Sequence, residues 1–552
     1  MSVIEHITTP PPRGTGTPGA APSSTGVTGG SVRRTVVRAV AALVGLLIAA
    51  GVIMAAQQPG TGLSPQGAVT LMVFILAVWF WIFTAIDDTY IALGAATVLV
   101  LTGTMDTASL FSTLGEETIW LLLAAFVIAA GVRASGLANR GAAFIIAGAT
   151  TPRQLAHLAT LALVITTFAV PSTSGRAALA LPVFLALRHA LGERKALIKA
   201  LAILFPSVIL LSAVGSFLGA GAHLITSQIL ETATGESFDF ATWLLLGLPL
   251  ALVASHVCAE IVLRMFTSAA DRTERLGVSA RDLERHSATP VTGPLTVAES
   301  RAALLLGAVV VLWCTEPLHG LDPALVALIG ALIAASPSYG SVELAKGLKS
   351  VPWSLLLFMA ATLALGNALV STGAAEWLAG GVLEPIRSLG AAAAPLFVVL
   401  VVLLSTFAHL VIQSRSARSA VLIPIVIALS PAVGVDPMAA AFASTAAAGF
   451  CHTLTSSAKP VAMFAAVDDV ETYAARDLLR LSSLLAPVNV VLVLLFSFLV
   501  WPLLGLPLFP CPPAPPAPQI LHRRPRPITP RGEPPCQFPS AYSSPRAASR
   551  NP

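Results

Sequence analysis

The sequence predicts an all-α polytopic membrane protein of about 11 transmembrane helices plus two re-entrant hairpins, arranged as two inverted repeats. Three observations predict it. Of 552 residues, 55% are hydrophobic and only 11% are charged, with a mean hydropathy of +0.83; a soluble surface needs about a quarter of its residues charged. Apolar runs long enough for a bilayer recur along the chain. The order of runs and polar interruptions in the first half repeats in the second. Gly and Pro number 41 each, which suits close helix packing and interrupted membrane helices.

The elements follow in order. Residues 1–34 are rich in Pro, Gly, Ser and Thr and read as a disordered cytoplasmic tail. Arg33 and Arg34 then precede an apolar run at 35–57, read as an uncleaved first transmembrane helix rather than a signal peptide. Residues 58–267 form the first repeat, with a hairpin at 154–190 around Ser172-Thr173-Ser174-Gly175-Arg176 and a run interrupted at Gly215–Gly221. A hydrophilic loop, 268–300, carries Arg272, Arg275, Arg281 and Arg285. Residues 301–506 form the second repeat, with a hairpin at 393–430 around Ser414-Arg415-Ser416-Ala417-Arg418 and an interruption near Cys451–Pro460. Residues 507–552 read as a disordered exterior tail.

The halves also match residue by residue. Both tips read S-x-S-[GA]-R, followed after five residues by Pro182 or Pro424. Upstream, Trp120-Leu121-Leu122-Leu123 parallels Trp353-Ser354-Leu355-Leu356-Leu357, leading to Ser135-Gly136 and Thr372-Gly373. Placing the N-terminus in the cytoplasm puts Arg133, Arg140, Arg153, Arg194, Lys195, Lys199, the 268–300 loop, Lys346, Lys349, Arg476 and Arg480 inside. This works only if both tips re-enter without crossing, so the two repeats are opposite in orientation. Inverted repeats with broken helices mark secondary transporters whose sites lie at the repeat interface.

Candidate site residues follow from that placement. Two tips meeting from opposite sides offer hydroxyls, free amides and guanidinium forks, a cage suited to carboxylate or sulfate oxygens. The expected substrate-binding residues are Ser172, Thr173, Ser174, Arg176, Ser414, Arg415, Ser416 and Arg418. Replacing Arg176 or Arg418 with Gln is expected to abolish ligand-induced stabilisation and leave the fold intact. The opposing reading makes these arginines structural, paired with helix C-termini or with buried acids, for which Asp87, Asp88, Glu117, Glu260 and Glu316 lie close enough to the spans. The two breaks supply the expected ion-binding or coupling residues: Gly215, Ser216, Gly219 and His223 in the first, and His452, Ser456, Ser457 and Lys459 in the second. Three glycines in seven residues free carbonyls to face a cation or substrate. Lys459 at membrane depth needs an anion or acid nearby, with Asp468 or Asp469 in range. Cys258, Cys314, Cys451, Cys511 and Cys536 show no paired spacing and read as packing residues. The chain shows no persuasive catalytic constellation, no metal motif and no nucleic-acid footprint, so an enzyme is not expected.

These residues resemble the divalent anion/sodium symporter family, within the ion transporter superfamily of di- and tricarboxylate, sulfate and arsenite carriers. The family carries a Ser-Asn-Thr signature at each tip, a few residues before Leu-Pro. Here those positions read Ser172-Thr173-Ser174 before Leu181-Pro182, and Ser414-Arg415-Ser416 before Ile423-Pro424. Gly219-Ala220-Gly221-Ala222-His223, Phe240-Ala241-Thr242-Trp243, Gly247-Leu248-Pro249, Trp313-Cys314-Thr315-Glu316 and Pro352-Trp353 to Gly366 are similar to further family stretches. The resemblance implies a homodimer in the cell membrane, an elevator-like movement, a small anionic substrate, and sodium or anion exchange as the driving partner, with no other cofactor. Both signature asparagines are absent, with Thr173 and Arg415 in their places. Fixed positive charge from Arg415 and Lys459 where the family binds sodium predicts an exchanger or a proton-coupled carrier. Arsenite or sodium/proton transport is the alternative within the superfamily.

Overall fold

A computed structural model describes Gly51 and residues 62–509, apart from 85, 286–289, 291, 379, 381–389 and 468–469. The expected first helix at 35–57 apart from Gly51, the tail at 1–34, the exterior tail beyond 509, Asp468 and Asp469 lie outside the described residues.

The described chain is almost wholly helical. The principal helices are α1 (Pro65–Phe83), α2 (Asp88–Leu101), α3 (Glu117–Ser135), α4 (Leu137–Ile146), α5 (Pro152–Ala169) and α6 (Thr173–Leu191). They continue with α7 (Lys195–Leu211), α8 (Gly221–Thr234), α9 (Phe240–Phe266), α10 (Val297–Cys314) and α11 (Pro323–Ala334). The remainder are α12 (Trp353–Ser371), α13 (Ala393–Phe407), α14 (Arg415–Leu429), α15 (Pro437–Ala447), α16 (Lys459–Ala465) and α17 (Ala475–Leu495). Among the described residues, eight helical stretches are long and apolar enough to cross a membrane, and α2, α4 and α11 are shorter apolar helices. The only strands described are the two-residue β1 (Ala466–Val467) and β2 (Val470–Glu471), which pair antiparallel. The protein is a polytopic helical membrane protein.

Local chemistry sets where the helices begin. Asp and Ser side chains cap their first turns: Asp87 accepts from the Thr89 and Tyr90 amides, Asp239 from Thr242, Asp322 from Ala324 and Leu325, and Asp436 from Ala439. Each cap satisfies amides that the first turn leaves without an intrahelical acceptor. Proline occupies the first turn of α1, α5, α11, α15 and α16, where its missing N–H costs nothing.

The two halves exchange partners in the same way in both directions. Helix α2 packs on α12 and α3 packs on α11. The second half's hairpin helix α14 packs on α8 of the first, and the first half's hairpin helix α6 packs on α16 of the second. Thr226 of α8 and Thr445 of α15 share a buried hydrogen bond of 2.7 Å at the centre. The hydrophilic loop is tied down by Arg140, which is buried, pairs with Glu299 at 2.9 Å, and donates to the carbonyls of Thr292, Gly293 and Pro294.

Candidate functional site: a cavity between the two hairpin tips

Both tips are built alike. Val170 to Ser172 turns α5 into α6, and Ser172 caps α6 by accepting from the Gly175 amide at 3.2 Å. Val411 to Ser414 turns the second hairpin, and Ser414 caps α14 by accepting from Ala417 at the same 3.2 Å. The first amides of each helix, those of Thr173, Ser174, Arg415 and Ser416, have no intrahelical acceptor and add positive potential there.

The two tips line one cavity of about 520 Å³. Ser172, Thr173, Ser174, Ser414, Arg415, Ser416 and Arg418 all face it, as do Ser456, Ser457 and Lys459 from the second break. The starts of α2 and α12 also contribute to the lining, through Asp87, Asp88 and Thr89 and through Pro352 and Ser354. Asp88 comes beside the Ser414 hydroxyl.

The three tip arginines have different surroundings. Arg176 is fully buried but lies off the cavity, and its guanidinium donates to Leu163 O at 2.8 Å, Ile209 O at 3.0 Å, Thr166 Oγ1 at 3.1 Å and Ser212 Oγ at 2.6 Å. It staples the two arms of the first hairpin to the break after α7. The expected role of Arg176 in holding substrate is therefore corrected, because its donors are spent on the protein. Arg418 is also 0% exposed, yet its Nε, Nη1 and Nη2 have no hydrogen-bond partner among the described residues. The same three nitrogens of Arg415 are shut from water and unpartnered. None of the acids proposed as structural partners pairs with either; Glu260, for one, is engaged by Arg153 and His157. A buried unpaired charge is costly in any fold.

The first break departs from expectation. Gly215, Ser216, Gly219 and His223 lie off the cavity, and only Ala220 to Ala222 reach it. The carbonyls that the break frees are taken by protein donors: Val214 O accepts from Trp243 Nε1 at 2.9 Å, and Ser216 O contacts His223 Nδ1 at 3.1 Å. His223 stacks on Trp243 with ring centroids 4.9 Å apart, which makes it a core residue. Gly219 serves the backbone instead, since a Cβ there would lie 2.0 Å from Ala213 O. His452 is likewise buried off the cavity against Phe450. Ser457 both lines the cavity and accepts from the Leu454 amide at 3.0 Å, closing the second break on itself. Lys459 is exposed at the cavity wall rather than sealed in the core.

The sequence reading missed several residues. Asp87, Asp88, Gln413, Ser354 and Cys451 all line the cavity. Gly449 makes room for Arg415, because a Cβ at that position would sit 3.0 Å from Arg415 Nη2 and 2.9 Å from Ala446 O. Its one visible signal is a glycine interrupting an alanine run where the helix ends.

A family profile described as the sodium:sulfate symporter transmembrane region matches residues 38–507. The chain belongs to that family. Among its relatives is the sodium-dependent dicarboxylate transporter SdcS of Staphylococcus saprophyticus, 24% identical over 471 residues, which covers 79% of this chain and 87% of that protein. The chloroplastic dicarboxylate transporter 1 of Spinacia oleracea is 25% identical over 412 residues, 70% of each chain. At the level of fold alone, the structure of MtrF from Neisseria gonorrhoeae superposes with a TM-score of 0.54 at 13% identity, covering 82% of this chain and 98% of that one. Membership of the family makes this protein a membrane transporter of the anion and dicarboxylate type, not an enzyme.

Proposed function

We propose that the protein is a secondary active transporter that carries a small di- or tricarboxylate, or sulfate, gripped between the two tips. The observation that carries this reading is the pair of buried, unpartnered guanidiniums of Arg415 and Arg418 facing the same cavity as the hydroxyls of both tips. A planar guanidinium offers paired donors that match a carboxylate or sulfate edge. Ser172, Thr173, Ser174, Ser414 and Ser416 complete the cage with hydroxyls, and Ser456, Ser457 and Lys459 close its wall. The unpaired guanidiniums of Arg415 and Arg418 disfavour a bare cation beside them as cargo.

Access alternates by an elevator-like displacement of the tips relative to α2 and α12, whose N-termini also line the cavity. The N-terminus faces the cytoplasm, the host membrane is the cell membrane, and two copies form a homodimer. Thermal unfolding of the purified protein with succinate, citrate, malate, sulfate or arsenite, each with and without sodium, tests the cargo. A ligand of the folded state raises stability by RT ln(1 + [L]/Kd). Stabilisation by dianions, with none from arsenite, is expected; a flat response to every oxyanion refutes the reading.

A further inference from the structure

A second cavity stands apart from the tips, between α3, α10 and α11. It is a groove of about 310 Å³ walled by Ile128, Leu304, Leu305, Ala308 and Ile333, and its polar side chains are those of Arg301, Tyr339 and Ser341. Leu304 is exposed at its lip. Arg301 lies near the start of α10, with its guanidinium 5.0 Å from the centre of the Tyr339 ring and Nη1 donating to Ser338 O at 3.0 Å. These contacts fix the direction of a long, exposed side chain. No acid pairs with it among the described residues: Glu299 is engaged by Arg140 at 2.9 Å and Glu343 by Lys346 at 3.1 Å. Arg133, directly after the lining residue Val132, brings a second basic residue to the last turn of α3.

The stretch of α10 from Arg301 to Ala308 is about 10 Å long at 1.5 Å per residue. The groove therefore runs from a held positive charge at the start of α10 down the apolar length of the helix. Lipid tails cover any apolar surface of a membrane protein; the charge at the head of this groove selects among headgroups. A guanidinium offers paired donors to phosphate oxygens. A tyrosine at the membrane boundary sits at headgroup level, and basic pockets between membrane helices hold anionic headgroups. We propose that this groove seats an anionic phospholipid, its phosphate on Arg301 and one acyl chain along Leu304, Leu305 and Ala308. On the orientation proposed above, the seat faces the cytoplasmic leaflet, whose surface is negative. It lies where α10 packs on α3 and α11, and it shares no lining residue with the cavity between the tips. The lipid braces those three helices and takes no part in gripping cargo.

Native mass spectrometry of the purified full-length protein in detergent, titrated with dioleoyl phosphatidylglycerol or dioleoyl phosphatidylcholine, tests this. The parent should retain phosphatidylglycerol about fivefold more tightly, the preference that one basic residue near an anionic headgroup gives. Arg301→Gln should erase the preference and leave both lipids bound equally weakly. Ala308→Trp fills the groove and should weaken retention of both. Arg480→Gln removes an exposed arginine of α17 that does not line the groove, and should change nothing. Equal retention of the two lipids by the parent, a preference that survives Arg301→Gln, or an equal loss in Arg480→Gln overturns the inference. Parental retention in Ala308→Trp overturns the groove as the seat of the chain. Arg301→Gln disturbs no buried contact and carries the test if Ala308→Trp does not fold. Stabilisation by succinate or sulfate is read separately, so its absence bears on the transporter reading alone.

Discussion

Arg176 and Arg418 occupy the same place in two matching motifs, and the structure separates what their replacement does. Arg176→Gln removes a guanidinium that donates at 2.6–3.1 Å to Leu163 O, Ile209 O, Thr166 Oγ1 and Ser212 Oγ. A buried acceptor left unpaired costs about 1–3 kcal/mol, and the shorter glutamine amide recovers one contact at most, so the folded state loses about 3–5 kcal/mol. Arg418→Gln breaks no hydrogen bond of the empty protein and removes an uncompensated buried charge. Its stability without ligand should match or exceed that of the parent. Bound anion, however, loses a charge-assisted hydrogen bond of about 1.5–3 kcal/mol, which weakens Kd by about 10- to 100-fold. Thermal unfolding in detergent across a succinate or sulfate titration measures both quantities in one experiment. The variants should diverge: a lowered midpoint for Arg176→Gln, and a parental midpoint with a right-shifted titration for Arg418→Gln. An Arg418→Gln protein stabilised by anion as well as its parent, or an Arg176→Gln protein of parental stability, refutes the division of roles.

Three further outcomes follow from particular contacts. Gly449→Ala places a methyl 3.0 Å from Arg415 Nη2 and should weaken anion-induced stabilisation more than it lowers the midpoint without ligand, read from the same titration. Trp243→Phe strands the buried Val214 carbonyl at the first break and should cost about 1–3 kcal/mol of stability by thermal unfolding. Arg140→Met alone leaves Glu299 buried and unpaired and should cost about 3–5 kcal/mol, whereas Arg140→Met with Glu299→Leu should recover most of that loss, seen as restored yield of monodisperse protein on size exclusion.

Much of the architecture was legible because membrane folds write themselves in composition and spacing. The hairpin read at 154–190 corresponds to α5 and α6, and the one at 393–430 to α13 and α14. The repeated S-x-S-[GA]-R motif identified both tips, and the caps on Gly175 and Ala417 show why serine opens each helix. The fate of the arginines was harder to read because their partners are backbone carbonyls far away in sequence, such as Ile209 O, which no residue type announces. One signal was present. The position ten residues before the arginine is Thr166 in the first half, where it accepts from Arg176 Nε, and Ala408 in the second, which has nothing to offer Arg418. The glycine-rich break misled for a related reason. Its glycines allow close backbone packing, and the carbonyls it frees are met by Trp243 and His223 from outside the break.

The serines that open α6 and α14 have one further consequence. Each holds a lone pair of its hydroxyl on an amide of its own helix, Gly175 or Ala417. Each hydroxyl then keeps one hydrogen and one lone pair, and that of Ser414 also meets Asp88. Beside it stand main-chain amides that also present hydrogens. The polarity of the tips is thus fixed by how the helices start, before any guanidinium is added. A solute rich in lone pairs meets hydrogens presented by the starts of two helices, one from either half of the chain.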